Sequence, residues 1–156
     1  MKRIILIVML FLSFSTLAAA SEEYLADTDF EPADFRGIRW QQSLEGLSGM
    51  VDVYREDDDS WIAVSRTGDE MRFGGAELES IEYIFVDGLL SMVAVVAVGE
   101  ENWSALLDEA KSRYGRETVH VGDDYMWRFT NVMIMFSMEQ EDQAVLFYRY
   151  IGNLSR

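Results

Sequence analysis

The clearest hydrophobic pattern runs from Glu79 to Val98, "ESIEYIFVDGLLSMVAVVAV", two β-rich runs about an Asp87-Gly88 pair. Asp-Gly takes the positive φ angles of a tight hairpin turn whose twist matches paired strands. Ile81, Tyr83 and Phe85 alternate onto one face, and Met92, Ala94, Val96 and Val98 alternate in the next run. The intervening Val93, Val95 and Ala97 are apolar too, which predicts a strand covered on both faces. Beyond it, "EENWSALLDEAKSRYG" places Trp103, Leu106, Leu107, Ala110 and Tyr114 on one side of a 3.6-residue period, the pattern of an amphipathic helix. Glu100 and Glu101 at its start and Lys111 and Arg113 at its end complement the helix dipole, and Gly115 closes it.

Four short β runs follow, "ETVHV", "YMWRF", "VMIMFSM" and "QAVLFYRYI", separated by turn residues and therefore expected to pair as an antiparallel meander. Earlier, "MVDVY" and "WIAVS" flank Arg55–Ser60 as a hairpin with a polar tip. "FRGIRWQQSLEGLSGM" predicts a short extended piece and then a short helix, capped by Ser43, carrying Leu44 and Leu47, and ended by Gly49. "TGDEMRFGGAEL" is expected to be a loop. The order is short helix, four strands, longer helix, four strands, which reads as one unit used twice. The expected fold is α+β: an antiparallel sheet of about eight strands with two helices on one face.

The N-terminal "MKRIILIVMLFLSFSTLAAASEEY" changes the picture of where this chain works. Lys2 and Arg3 precede an apolar stretch, and Ala18 and Ala20 stand at the small-residue positions before a cut, the layout of a secretory signal peptide. Residues 1–20 are expected to be removed after Ala20, leaving no stable membrane anchor and a periplasmic or secreted protein. Residues 21–34 form an acidic leader holding the lone Pro32, and 35–156 a single domain. The 136 residues left after cleavage suffice for one core, and the chain has no cysteine for a disulfide.

Charge narrows the partners. Removing residues 1–20 takes two bases and no acids, leaving 11 basic against 28 acidic residues, a net −17. Such a surface repels nucleic acid, which is bound through clustered Lys and Arg. It suits a basic peptide or another envelope protein, and keeps the protein a monomer or weak homodimer.

Catalytic and metal chemistry find little to work with. Consecutive acids Glu56–Asp59 point to opposite sides of an extended chain and lack the glycine of a calcium loop, so they read as a solvated hairpin tip. His120 is the lone histidine, whereas zinc needs several nitrogen or sulfur ligands. Met126, Met133 and Met135 share a strand face, where thioethers could hold Cu(I) but more often fill irregular core space. No nucleophile–base pair or phosphate-cradling motif emerges. No cofactor, metal or catalytic residue is assigned.

Aromatic and arginine residues are the better candidates. Tyr125, Trp127 and Phe129 alternate onto one face with Arg128 opposite; Phe147 and Arg149 share a face, with Tyr148 and Tyr150 on the other. Because recognition surfaces are enriched in Trp, Tyr and Arg, the candidate binding residues are Trp40, Tyr125, Trp127, Arg128, Tyr148 and Arg149. The competing explanation is core packing. With helices on one sheet face, the other apolar face is expected to be a semi-exposed patch that meets a partner.

Phe35, Gly37, Ile38 and Trp40, then Tyr83, Phe85, Asp87 and Leu90, resemble the "F-x-G-I-x-W-G" opening and "Y-x-F-x-D-x-x-L" hairpin of small exported bacterial proteins, mostly of unknown function. Gln41 stands where that pattern has glycine. The repeated helix-then-strands order is similar to the folds of beta-lactamase-inhibitor proteins and small lipoproteins of outer-membrane assembly. The resemblance implies a non-enzymatic binding module. The alternatives are a carrier of a small apolar ligand and a small carboxylate-using hydrolase.

Overall fold

The computed structural model describes residues 25–56, 60–140 and 142–152. The expected signal peptide, the first residues of the acidic leader and the run Asp57–Asp59 lie outside these.

Among the described residues, twelve strands and one α-helix follow in order: β1 (Asp34–Phe35), β2 (Ile38–Arg39), β3 (Met50–Arg55), β4 (Trp61–Arg66), β5 (Arg72–Phe73), β6 (Ala76–Glu77), β7 (Ser80–Val86), β8 (Leu89–Val98), α1 (Glu100–Tyr114), β9 (Val119–Val121), β10 (Asp124–Arg128), β11 (Val132–Gln140) and β12 (Gln143–Tyr150). Eight of the strands form one antiparallel sheet in the order β3-β4-β7-β8-β12-β11-β10-β9. Each half is a meander of four strands, and the halves join where β12 pairs with β8, Val145 opposite Val96 and Phe147 opposite Ala94. The Asp87-Gly88 hairpin forms as its sequence dictates, with Val86 opposite Leu89 and φ of 50° and 76° in the turn.

The expected pair of helices is reduced to one. Ser43–Gly49 is a succession of turns: Ser43 bridges to Leu89, Leu44 N–H donates to Gly88 O, and the Ser43 hydroxyl accepts from Glu45 N–H. The segment is too short to offset the cost of helix nucleation, and Gly46, at φ 88°, sits in its middle. The two halves thus share a strand pattern but not a helix.

α1 buries Leu106, Ala110 and Tyr114 on the first face of the sheet. Trp127, Tyr148, Phe136, Ile134, Leu146, Tyr83 and Phe85 form the core beneath it, every one at most 1% exposed. The Tyr114 and Tyr148 hydroxyls bond each other at 2.9 Å inside this core. Burial raises both tyrosines well away from ionisation, so the pair stays neutral.

Residues 25–34 lie against the same domain. Ala26 N–H donates to Arg128 O at 2.7 Å, and the Glu31 carboxylate accepts from the backbone of Asn131 and Val132. A single 3-10 turn spans Thr28–Phe30, and Leu25 and Phe30 remain exposed. Polar bonds to the β10–β11 turn hold this segment more than its apolar side chains do.

The second sheet face carries Ala63, Ile84, Ala94, Val96, Val145 and Phe147, with Met126, Met133 and Met135 beside them. These side chains are at most 8% exposed, and the half-buried Tyr54, Trp61, Met92, Val119 and Ile151 pack against them, so the exposed apolar surface of this face lies at its margins.

Candidate functional site: an arginine-lined cleft

The site is assembled from two hairpins too short to stand alone, the end of β4 and the end of α1. The first hairpin pairs Asp34 with Arg39 and Phe35 with Ile38, leaving Arg36-Gly37 as a two-residue turn. Both turn residues have positive φ, 51° and 82°, and Asp34 Oδ1 accepts from Gly37 N–H at 2.9 Å. The left-handed conformation costs a non-glycine residue about 1 kcal/mol. What holds Arg36 there is its side chain, whose two Nη groups donate to the carbonyls of Glu70 and Arg72. The guanidinium straps the first hairpin to the chain entering the second.

That second hairpin is β5–β6, turned by Gly74-Gly75. Phe73 and Ala76 are buried against α1, and Asn102 near the helix start accepts from Glu77 N–H at 3.1 Å. Gly74, at φ 58°, lies so close to α1 that a Cβ would overlap the Glu109 carboxyl group. Arg113 is held by Glu109, its Nε 2.6 Å from Oε1, and its guanidinium lies 4.2 Å from the centre of the Phe73 ring. "TGDEMRFGGAEL", expected to be a loop, is therefore a folded wall.

The floor is a charged network. Arg66 Nε donates to Asp69 Oδ1 at 2.7 Å, the Tyr83 hydroxyl donates to Asp69 Oδ2 at 2.5 Å, and Arg66 Nη1 reaches Arg36 O at 3.2 Å. The Asp69 side chain is only 5% exposed, so its charge is met by these partners instead of water. Burial, then the bond to Asp69 and its negative charge, push the Tyr83 hydroxyl far above its ordinary range, so it acts as a donor throughout.

Between these walls opens a cavity of about 660 Å3, the size of pockets that take small organic ligands. Phe30, Pro32, Phe35, Phe73 and Tyr114 give it apolar surface. Arg36, Arg66, Arg72 and Arg113 also line it, with Asp34, Asp69 and Glu70. Four of the chain's 13 basic residues thus meet here with only three of its 28 acids, the reverse of the overall balance. The lining holds neither His nor Lys, and its buried acid, Asp69, is already committed to two donors. The arrangement is equipped to hold a ligand, and it presents no nucleophile with a base beside it. Among the described residues no group of three or more His, Asp or Glu side chains is placed to hold a metal.

The six residues expected from sequence to bind do not come together. Trp127 and Tyr148 are fully enclosed under α1, Trp127 donating through Nε1 to Gly115 O at 2.9 Å. Trp40 is half-buried, stacks on Tyr148 and donates to Pro32 O. Tyr125 lies farther along the sheet, with Lys111 Nζ 4.2 Å from its ring centre and His120 stacked on it at 4.1 Å. Arg128 and Arg149 belong to the second face, both opposite Met133. The cleft residues were missed because four ordinary-looking arginines in four separate segments carry no periodic signal. The one local hint is Arg36-Gly37 between Phe35 and Ile38, a turn dipeptide that demands positive φ.

Comparison with known protein families, with characterised proteins and with solved structures finds no match to this chain.

Proposed function

We infer that the protein is an exported, non-enzymatic binding module whose recognition site is the arginine-lined cleft. One observation carries this: an open cavity of about 660 Å3 walled by aromatic rings and four guanidinium groups, without an acid–base or nucleophile–base pair. The signal-peptide pattern at residues 1–20 supports export to the periplasm or medium. A basic partner, suggested by net charge alone, fits the outer surface better than it fits the cleft.

The test is a ligand survey by nuclear magnetic resonance on the protein purified after export. Amide shifts concentrated at residues 30–36, 66–74 and 113–114 support the proposal. Turnover of ester, phosphoester or glycoside substrates, or shifts confined to other surfaces, overturns it.

A further inference from the structure

We propose that the cleft captures its ligand by a carboxylate, received by Arg113 and Arg72, with the ligand's apolar stem lying against the rings of Phe30, Phe35 and Tyr114. The proposal rests on the cleft being the binding site and adds the chemical class of what enters it.

The four arginines divide by how their donors are used. Arg66 is spent on Asp69 and on the Arg36 carbonyl. Arg36 is spent on two backbone carbonyls. These two build the site. Arg113 commits only Nε, to Glu109, so its two Nη groups have no partner among the described residues. Arg72 reaches Glu77 through one Nη at 3.5 Å, the limit of a hydrogen bond, and its side chain is 58% exposed. A guanidinium has five donors in a planar fork, and the ligand that matches such an edge is a planar carboxylate or a phosphate.

Local charge chooses between the two. Glu77 and Glu109 already lie beside Arg72 and Arg113, and Asp34 and Glu70 stand at the lining. With Asp69 these make five carboxylates against four guanidinium groups, so the surrounding charge does not sum to a positive value and a second negative charge on the ligand gains no net attraction. The Phe30 ring, 44% exposed at the cleft beside the mostly buried Phe35 and Tyr114, favours an anion that carries an apolar stem: covering it supplies affinity, and the salt-screened charge supplies the choice of ligand. Phe73, its ring centre 4.2 Å from the Arg113 guanidinium carbon, and the Glu109 bond to Nε already restrain the Arg113 side chain, so little of its freedom is lost when a carboxylate docks.

Four probes with the same ring and different heads test this: phenylacetate, phenylacetamide, phenethylamine and phenyl phosphate, each titrated into the exported protein at low salt. Phenylacetate is expected to move the Arg72, Gly74 and Tyr114 amides and the Arg113 side-chain Nε signal, and to bind at least about tenfold more tightly than phenylacetamide. Arg72→Gln, at an exposed position that leaves the fold intact, and Arg113→Gln are each expected to erase most of that difference. Equal or tighter binding of the amide or the amine at the same resonances overturns the carboxylate assignment and leaves the cleft as the site. Tighter binding of phenyl phosphate overturns it in favour of phosphate. If no probe moves any cleft resonance, both the ligand class and the cleft reading fall.

Discussion

Tyr83 and Asp69 are joined by a 2.5 Å hydrogen bond from the phenol to Oδ2, while the other carboxylate oxygen takes Arg66. This bond ties the centre of the sheet to the loop that floors the cleft. Tyr83→Phe removes a donor to a carboxylate that is 5% exposed, and is expected to cost about 1.5–3 kcal/mol in a urea melt. Asp69→Ala is expected to cost at least as much, because it strands both partners, and to increase hydrogen exchange at residues 66–72.

Trp127 separates packing from recognition. It is fully buried, with its indole N–H on Gly115 O, so Trp127→Ala is expected to cost about 3–5 kcal/mol through the cavity it leaves. Thermal denaturation with circular dichroism checks this. A variant that kept its stability and lost a binding activity would assign Trp127 to recognition.

Glu82 gives a pH-dependent expectation. It faces the apolar second side of the sheet opposite Ala94, and burial raises its carboxyl above the ordinary 4.5. Protons therefore bind the folded state more tightly than the unfolded one. Stability falls as pH rises from 4.5 through the raised value, and the whole penalty is present above it. Glu82→Gln is expected to be more stable than the parent at about pH 7, with the advantage shrinking toward zero at about pH 4. An advantage that persists at the lower pH would show that the gain has another source.

Gly74→Ala tests the docking of the β5–β6 hairpin on α1. A side chain there meets the positive φ of 58° and the Glu109 carboxyl that holds Arg113. The expected loss is about 1–2 kcal/mol, with faster exchange confined to residues 71–78 and to the end of α1. Uniform protection across the hairpin in the variant would show that Glu109 moves aside without cost.

Much of the sheet was legible because its signals are local. Asp87-Gly88 sets its hairpin, the Trp103–Tyr114 period sets α1, and short links force the last four strands into a meander. Ser43–Gly49 misled because a good cap and two leucines look helical until Gly46 is weighed against so short a segment. The aromatic strand residues were ambiguous by nature: alternation places Trp127 and Tyr148 on one face but does not say that α1 covers it. The cleft was illegible because it exists only where four separated segments meet, held by an arginine bonding to backbone carbonyls 34 and 36 positions away. Such bonds depend on no partner side chain and leave no mark in composition.

The pairing of β8 with β12 also governs the order in which this molecule is completed. Residues 89–98 emerge during synthesis well before residues 143–150, yet the latter fill the middle of the sheet, between β8 and β11. Until that insertion the two meanders are separate fragments, each with an open inner edge. Folding is therefore expected to finish late and slowly, as long-range strand pairing dictates, and a chain still being threaded through a narrow channel would present no closed barrier to its passage.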